Sequence, residues 1–201
     1  MASVVIAGDT SGTVTLAAPA VAGTTTLTLP TANGTILTNA STGISASNIT
    51  TGTLPKAQLP TGSVLQVVQS SSTNQTTTTS SNFQATGHSV TITPLFASSK
   101  ILLLHQGMIN VLGSTAWSWA AIFRNASVNL YSGGAYDSAG GIYINGGVDN
   151  HCPITFSVLD SPNTTSATTY TVYLKNNNNS TGVRYNADAW KLYFIAMEIA
   201  G

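Results

Sequence analysis

The sequence predicts an all-β protein: short N-terminal strands, an extended spacer and a C-terminal β-sandwich of jelly-roll type. Three observations carry that prediction. Glu occurs once, at Glu198, and Lys four times, so two favoured surface-helix formers are nearly missing. Charged residues make up 6% of the 201, against the ~25% usual in globular proteins, and Thr, Ser, Asn and Gly take their place. Thr and Val suit pleated strands, whereas Gly, Asn and Pro suit turns. Finally, the apolar residues recur at intervals of two or five rather than 3.6, so no amphipathic helix is indicated.

These proportions also exclude some functions. The formal net charge is zero, which leaves no basic footprint for nucleic acid or anionic membrane. Cys152 is the single cysteine, so no intrachain disulfide forms. The opening MASVVIAGDTSG lacks a basic stretch followed by a long apolar core, so no secretory signal is expected. No run approaches the ~18 apolar residues of a membrane span, and membrane insertion is not expected.

Residues 1–43 come first. Before Phe83 the chain has no aromatic residue, and residues 1–82 carry only two charged side chains, Asp9 and Lys56. Thr13-Val14-Thr15-Leu16 and Thr26-Leu27-Thr28-Leu29 alternate polar with apolar, and residues 34–38 are a third short strand candidate. Gly12, Gly23, Pro30, Asn33 and Gly34 supply turns. Strands this short leave mostly unpaired edges in a lone copy. This segment is therefore expected to take its order from identical neighbours, as an assembly and attachment segment.

Residues 44–64 are a spacer. Ile44, Ile49, Leu54, Leu59 and Val64 fall one every five residues, and Pro55 and Pro60 repeat at the same interval. That period fits neither helix nor strand, and each proline removes a backbone donor. Read as extended chain, each pentad spans roughly 16 Å. One aliphatic side chain at that spacing has nothing to pack against in a monomer. Three parallel copies would bury each against its two mates, which predicts a homotrimeric stalk with these five residues as its contacts.

Residues 65–201 form the head. Strand candidates lie at 64–69, 89–93, 100–108, 117–124, 141–145, 154–159, 169–175, 183–186 and 191–199, separated by turn clusters such as Ser132-Gly133-Gly134 and Asp160-Ser161-Pro162-Asn163. Short strands with regular turns suit a sandwich. Tyr170, Val172 and Leu174 alternate with Thr171, Tyr173 and Lys175, so that strand buries one face. Leu192–Met197 is apolar on both faces, which predicts a central strand or a subunit contact.

Candidate chemistry is sparse. His88, His105 and His151 are far apart, and His151-Cys152 would point to opposite faces of a strand. No metal-ligand spacing, nucleophile elbow or phosphate loop occurs, so no cofactor, metal or catalytic residue is expected. Asp137, Asp149, Asp160 and Asp188 sit in turn-like contexts. Tyr131, Tyr136, Asp137, Tyr143 and Asp149 form the more useful group. Tyrosines and carboxylates on loops suit sugar recognition, the ring covering a sugar face and the polar groups bonding its hydroxyls. The alternative is that these tyrosines cap the core. Trp117 and Trp119 share one strand face, a spacing more common in a core than on a binding platform.

GDTSGTVTLAAPAVAGTTTLTLPTANGTILT (residues 8–38) resembles the N-terminal segments of bacteriophage tail-fibre and other virion-appendage proteins. SASNITTGTLPKAQLPTGSV (45–64) resembles their Ile-Thr-x-Gly-x-Leu-Pro spacers. LDSPNTTSATTYTVYLKNN (159–177) and the closing IAMEIAG resemble C-terminal domains of phage structural proteins. The resemblance implies a homotrimeric virion component, made in a bacterial host's cytoplasm, with the N-terminus on other virion proteins and the head on a host-surface glycan or protein. Two rival expectations are a capsid or tail decoration protein without receptor binding, and a glycan-degrading appendage with paired carboxyls.

Overall fold

The structure, a computed structural model, describes residues 3–7, 13–17, 54–112, 116–144, 150–177 and 182–201. The chain divides into two compact units, Met1–Gly52 and Thr53–Gly201. In the first, β1 (Ser3–Ala7) and β2 (Thr13–Ala17) pair antiparallel, Ser3 opposite Ala17 and Ala7 opposite Thr13. Alternation at Thr13–Leu16 points to β2. The continuous run Val4-Val5-Ile6 in β1 gives no such signal. The candidates at 26–29 and 34–38, and the spacer residues Ile44 and Ile49, lie outside the described residues.

The second unit begins with a correction to the extended spacer. Residues Lys56–Gln58 form a 3-10 turn behind Pro55, whose φ is −56°. Proline presets that angle for a turn as readily as for extended chain, and the Gln58 N–H donates to the Pro55 carbonyl at 2.9 Å. Gly62 and Ser63 then pair with Ala200 at 2.8 and 2.9 Å, so this unit starts beside its own end.

Eleven strands follow among the described residues: β3 (Val64–Ser72), β4 (Thr76–Thr78), β5 (Gln84–Ile92), β6 (Lys100–Val111), β7 (Ala116–Arg124), β8 (Val128–Asn129), β9 (Gly140–Ile144), β10 (Asn150–Asp160), β11 (Thr168–Asn176), β12 (Val183–Tyr185) and β13 (Leu192–Ile199). Each of the nine strands predicted for the head is present. The additional β4 and β8 are too short to carry a period. All pairings are antiparallel, and five of them nest: β3 with β13, β4 with β12, β5 with β11, β6 with β10, and β7 with β9. First pairs with last, and so inward, which is the winding of a jelly roll. One sheet runs β3-β13-β6-β10, with β12 and β4 continuing it at the far end of β6. The other runs β5-β11-β7, with β8 and β9 beyond.

The core lies between the sheets. Val90, Ile92, Ile122, Tyr170, Val172 and Leu174 of the second sheet meet Ile101, Leu103, Ile109, Phe156, Phe194 and Ala196 of the first. The alternation at Tyr170–Lys175 is therefore realised, with Tyr170, Val172 and Leu174 buried. Strand β13 is central, between β3 and β6.

Three polar links tie the layers. Arg124 Nη1 of β7 donates to both carboxylate oxygens of Asp160 at 2.8 Å, and the buried Tyr170 hydroxyl donates to the same group at 2.7 Å. Burial, then that hydrogen bond, raises the Tyr170 pKa well above its ordinary value. The Tyr185 hydroxyl lies 2.7 Å from His88 Nδ1 and 2.8 Å from His105 Nε2, joining the two sheets. One hydroxyl proton serves one imidazole, so the other ring must donate to the oxygen. Gly107 leaves space for this: a Cβ there would come within 2.5 Å of His105 Cε1. Finally, the buried Glu198 accepts from Gln66 Nε2 at 2.5 Å and from the Leu95 and Phe96 N–H groups at 2.7 and 3.3 Å. Burial alone would raise its pKa, but hydrogen bonds from Ser99, Gln66, Leu95 and Phe96 outweigh it and hold the carboxyl below its ordinary range.

Burial lowers the pKa of His88, and burial together with the neighbouring His88 brings His105 down to about 3. The unfolded chain then binds more protons than the native one between the ordinary histidine value and that lower one. Stability is therefore complete above pH ~6.5 and falls with acid by up to ~1.4 kcal/mol per pH unit for each imidazole. Urea midpoints measured from pH 7 to 5 should decline in this way, and His105→Phe should reduce the slope. Replacing Asp160 by Ala strands both Arg124 and Tyr170, and should cost about 3 kcal/mol in the same assay at pH 7.

Candidate functional site

Strand β7 carries Ser118, Ala120 and Ile122 toward the core, so Trp117, Trp119 and Phe123 stand on the outer face of its sheet. Register places Trp117 opposite Tyr143 of β9, and Trp119 opposite Lys175 of β11. The rings form a strip. Tyr143 and Trp117 centroids are 4.8 Å apart, Trp117 and Trp119 are nearly parallel at 6.2 Å, and Trp119 and Tyr136 stack at 4.8 Å. Lys175 Nζ bridges to a second aromatic group, 5.4 Å from the Trp119 centroid and 4.5 Å from that of Phe83. Phe83 meets Phe123 edge-on at 5.3 Å, and Phe123 lies 4.3 Å from Tyr173.

Accessibility sorts these rings into support and contact. Trp119 is 6% exposed, covered by its neighbours, whereas Tyr136, Tyr143 and Trp117 are 63%, 46% and 40% exposed. A short loop aims Tyr136. Tyr136 and Asp137 both adopt positive φ, 63° and 50°, a region that costs most side chains energy and marks over-determined positions. The supports are visible. Asn129 Nδ2 donates to the Asp137 carbonyl at 2.7 Å, and the Asp137 carboxylate accepts the Gly133 N–H at 2.9 Å.

The five residues singled out from sequence thus have different places. Tyr136 and Tyr143 are exposed at the two ends of the strip. The Asp137 carboxylate holds the loop that presents Tyr136. Tyr131 is half-buried and packs on Phe156 of the core at 6.0 Å, and burial pushes its pKa up to about 12. Asp149 lies outside the described residues. Of the spacer contacts, Leu54 and Val64 are 49% and 51% exposed, and Leu59 is half-buried. Trp117 and Trp119 do share a face, but it is the one turned away from the core. Ser118 and Ala120 were the available signal, since small residues suit the side on which two sheets close. Lys175 and Phe83 carried no signal in the sequence.

What this arrangement can do is bind. Aromatic faces cover the apolar faces of a sugar or a peptide side chain, and the ammonium of Lys175 is a nearby donor. Among the described residues no group of three or more His, Cys, Asp or Glu could hold a metal ion. The His151 and Asp188 pair, 3.2 Å apart, sits on the other sheet. Among the described residues no helix is long and apolar enough to cross a membrane.

No family model matches the sequence, and no curated protein matches it. Among solved structures, the VP2 subviral particle of infectious bursal disease virus is similar at 11% identity and a TM-score of 0.31, over 69% of this chain and 38% of that one. The Gt strain of the same virus gives 11% identity and a TM-score of 0.30, over 69% and 39%. The chain spans under two-fifths of the length of those proteins. Superpositions this loose establish no relationship.

Burial gives the two tryptophans opposite energetic roles. Trp119→Ala should destabilise the head by about 3 kcal/mol, while Trp117→Ala should cost less than about 1 kcal/mol. Urea unfolding followed by circular dichroism measures both.

Proposed function

We propose that this chain is a structural virion protein of a bacteriophage, a homotrimeric fibre or spike whose jelly-roll head adsorbs to a glycan on the host surface. The exposed rings of Tyr143, Trp117 and Tyr136 carry this reading. Three large aromatic side chains in water, two on one sheet and one on the loop beside it, braced by a buried fourth, favour a ligand with apolar faces over an unoccupied surface. The exposed Leu54 and Val64 of the spacer, open to neighbouring copies, support the trimer, and the resemblance of residues 8–38 and 45–64 to phage appendage proteins supports the virion setting. Jelly rolls serve as capsid and lectin domains, which is compatible with this reading but does not select it.

In this reading the mechanism is recognition without chemistry. Each head contributes a weak site, and three heads engaging one surface multiply the affinity. With so few charges, attraction to the host should depend little on salt. The protein would reside on the virion, bound through its N-terminal segment, after synthesis in the host cytoplasm. It would use no cofactor and act as no enzyme.

The test is adsorption of the full-length protein to host cells and to their extracted surface glycans. The double variant Trp117→Ala/Tyr136→Ala should keep its fold and lose at least about tenfold in binding, since stacked rings at such sites contribute more than 1.4 kcal/mol together. Unchanged adsorption would remove the strip from the receptor site. Unchanged adsorption with lost particle stability would favour a decoration role, and release of reducing sugar from the glycan would favour the degrading one.

A further inference from the structure

The larger sheet also has an outer face, and it is of another kind. Register sets Val64, Val67, Gln69 and Ser71 of β3 beside Ile199, Met197, Ile195 and Tyr193 of β13. The last three of these lie beside Leu102, Leu104 and Gln106 of β6, and these in turn lie beside Leu159, Ser157 and Thr155 of β10. Val67, Leu159 and Tyr193 are 56%, 52% and 44% exposed. The middle of the face is a concave depression of about 820 Å³ lined in part by Leu104, Gln106, Tyr193 and Ile195. No side chain on the paired positions at the centre of this face is charged; Lys100 borders it at one end, opposite Ile199, and at the other the Lys191 ammonium lies 5.9 Å from the Tyr193 ring centroid.

The geometry points to this face as the surface on which the heads of neighbouring copies of this chain meet. Three observations select a second copy over another partner. First, the uncharged centre of the face can meet a second copy without stranding an ion, with Lys100 and Lys191 left at the rim in water. Second, four strands about 4.8 Å apart and some seven residues long give roughly 450 Å² in plane. That is the size of a patch that marks an interaction site, yet short of the ~800 Å² per partner in a free-standing interface. A contact of this size suits a partner already tethered, for which the effective concentration is high. Third, Val64 closes the spacer in sequence and is the first residue of this face, so the segment proposed to gather the copies joins the head at this face. This deepens the trimer proposed above by naming where the heads touch, and it leaves the aromatic strip free on the opposite sheet.

The experiment is hydroxyl-radical labelling of the full chain, with the mass of the assembly measured by light scattering on the same samples. Tyr193 and Met197 report on the face, and Tyr136 on the other sheet is the exposed control. A trimer in which Tyr193 and Met197 are labelled severalfold more slowly than Tyr136 is the expected result. In Val67→Asp/Leu159→Asp, two exposed positions whose change leaves the core intact, that protection should disappear. A trimer in which Tyr193 is labelled as fast as Tyr136 would overturn the proposal while leaving assembly through the N-terminal third standing. A monomer would overturn both. Protection that survives the double variant would show the face covered by something indifferent to charge, and would also overturn it.

Discussion

Five nested antiparallel pairings hold this head together. Strand β3 cannot be sealed until β13 arrives, although they are the first and last strands of the unit. Strand β6 does most of the joining. It takes β10 along one edge, and β13 followed by β12 along the other. Each residue of β6 therefore has its direction fixed by partners on both sides. A slip by one position would turn Ile101, Leu103 and Ile109 outward and Leu102 and Leu104 inward. Because both sets are aliphatic, hydrophobicity alone does not forbid that slip. The polar links do. His105 must face Tyr185, and Glu198 must face the Leu95–Phe96 turn, for their hydrogen bonds to form.

The same pairings explain why so uncharged a chain has two distinct outer surfaces. Each sheet has one face in the core, so its other face must carry whatever the alternate positions hold. On the β5-β11-β7 sheet these are aromatic rings braced by Lys175. On the β3-β13-β6-β10 sheet they are aliphatics with amides and hydroxyls. Aromatic rings offer flat faces and one cation, which suit a small polar ligand with apolar sides. Aliphatic side chains without charge offer area and little else, which suits another protein surface. The division of labour proposed for the two sheets follows from that difference in side-chain chemistry.

Much of this was readable in the chain itself. Composition set the all-β class, because Glu and Lys were too few for surface helices and Thr, Asn and Gly marked strands and turns. Turn clusters marked off the nine main strands, and period two gave the buried side of β11, since Tyr170, Val172 and Leu174 alternate with more polar partners. The unbroken apolar run at residues 192–197 showed that β13 is apolar on both faces. A residue pattern of this kind is local, and local sterics act on it before any tertiary contact forms.

The pairing order and the faces were decided only in three dimensions. Hydrophobicity along β7 does not state which side meets the other sheet, since Trp117, Trp119 and Phe123 are as apolar as Ala120 and Ile122; only the small size of Ser118 and Ala120 pointed to it. Closure of the sandwich put the smaller residues of β7 inside, because the buried rings of Tyr170, Tyr185, Phe156 and Phe194 already fill the space between the sheets. That choice left the tryptophans outside, where they brought Tyr136 and Tyr143 onto one strip and left Tyr131 against the core. Which residues can touch a ligand was therefore settled by long-range packing, a constraint that no short stretch of sequence contains.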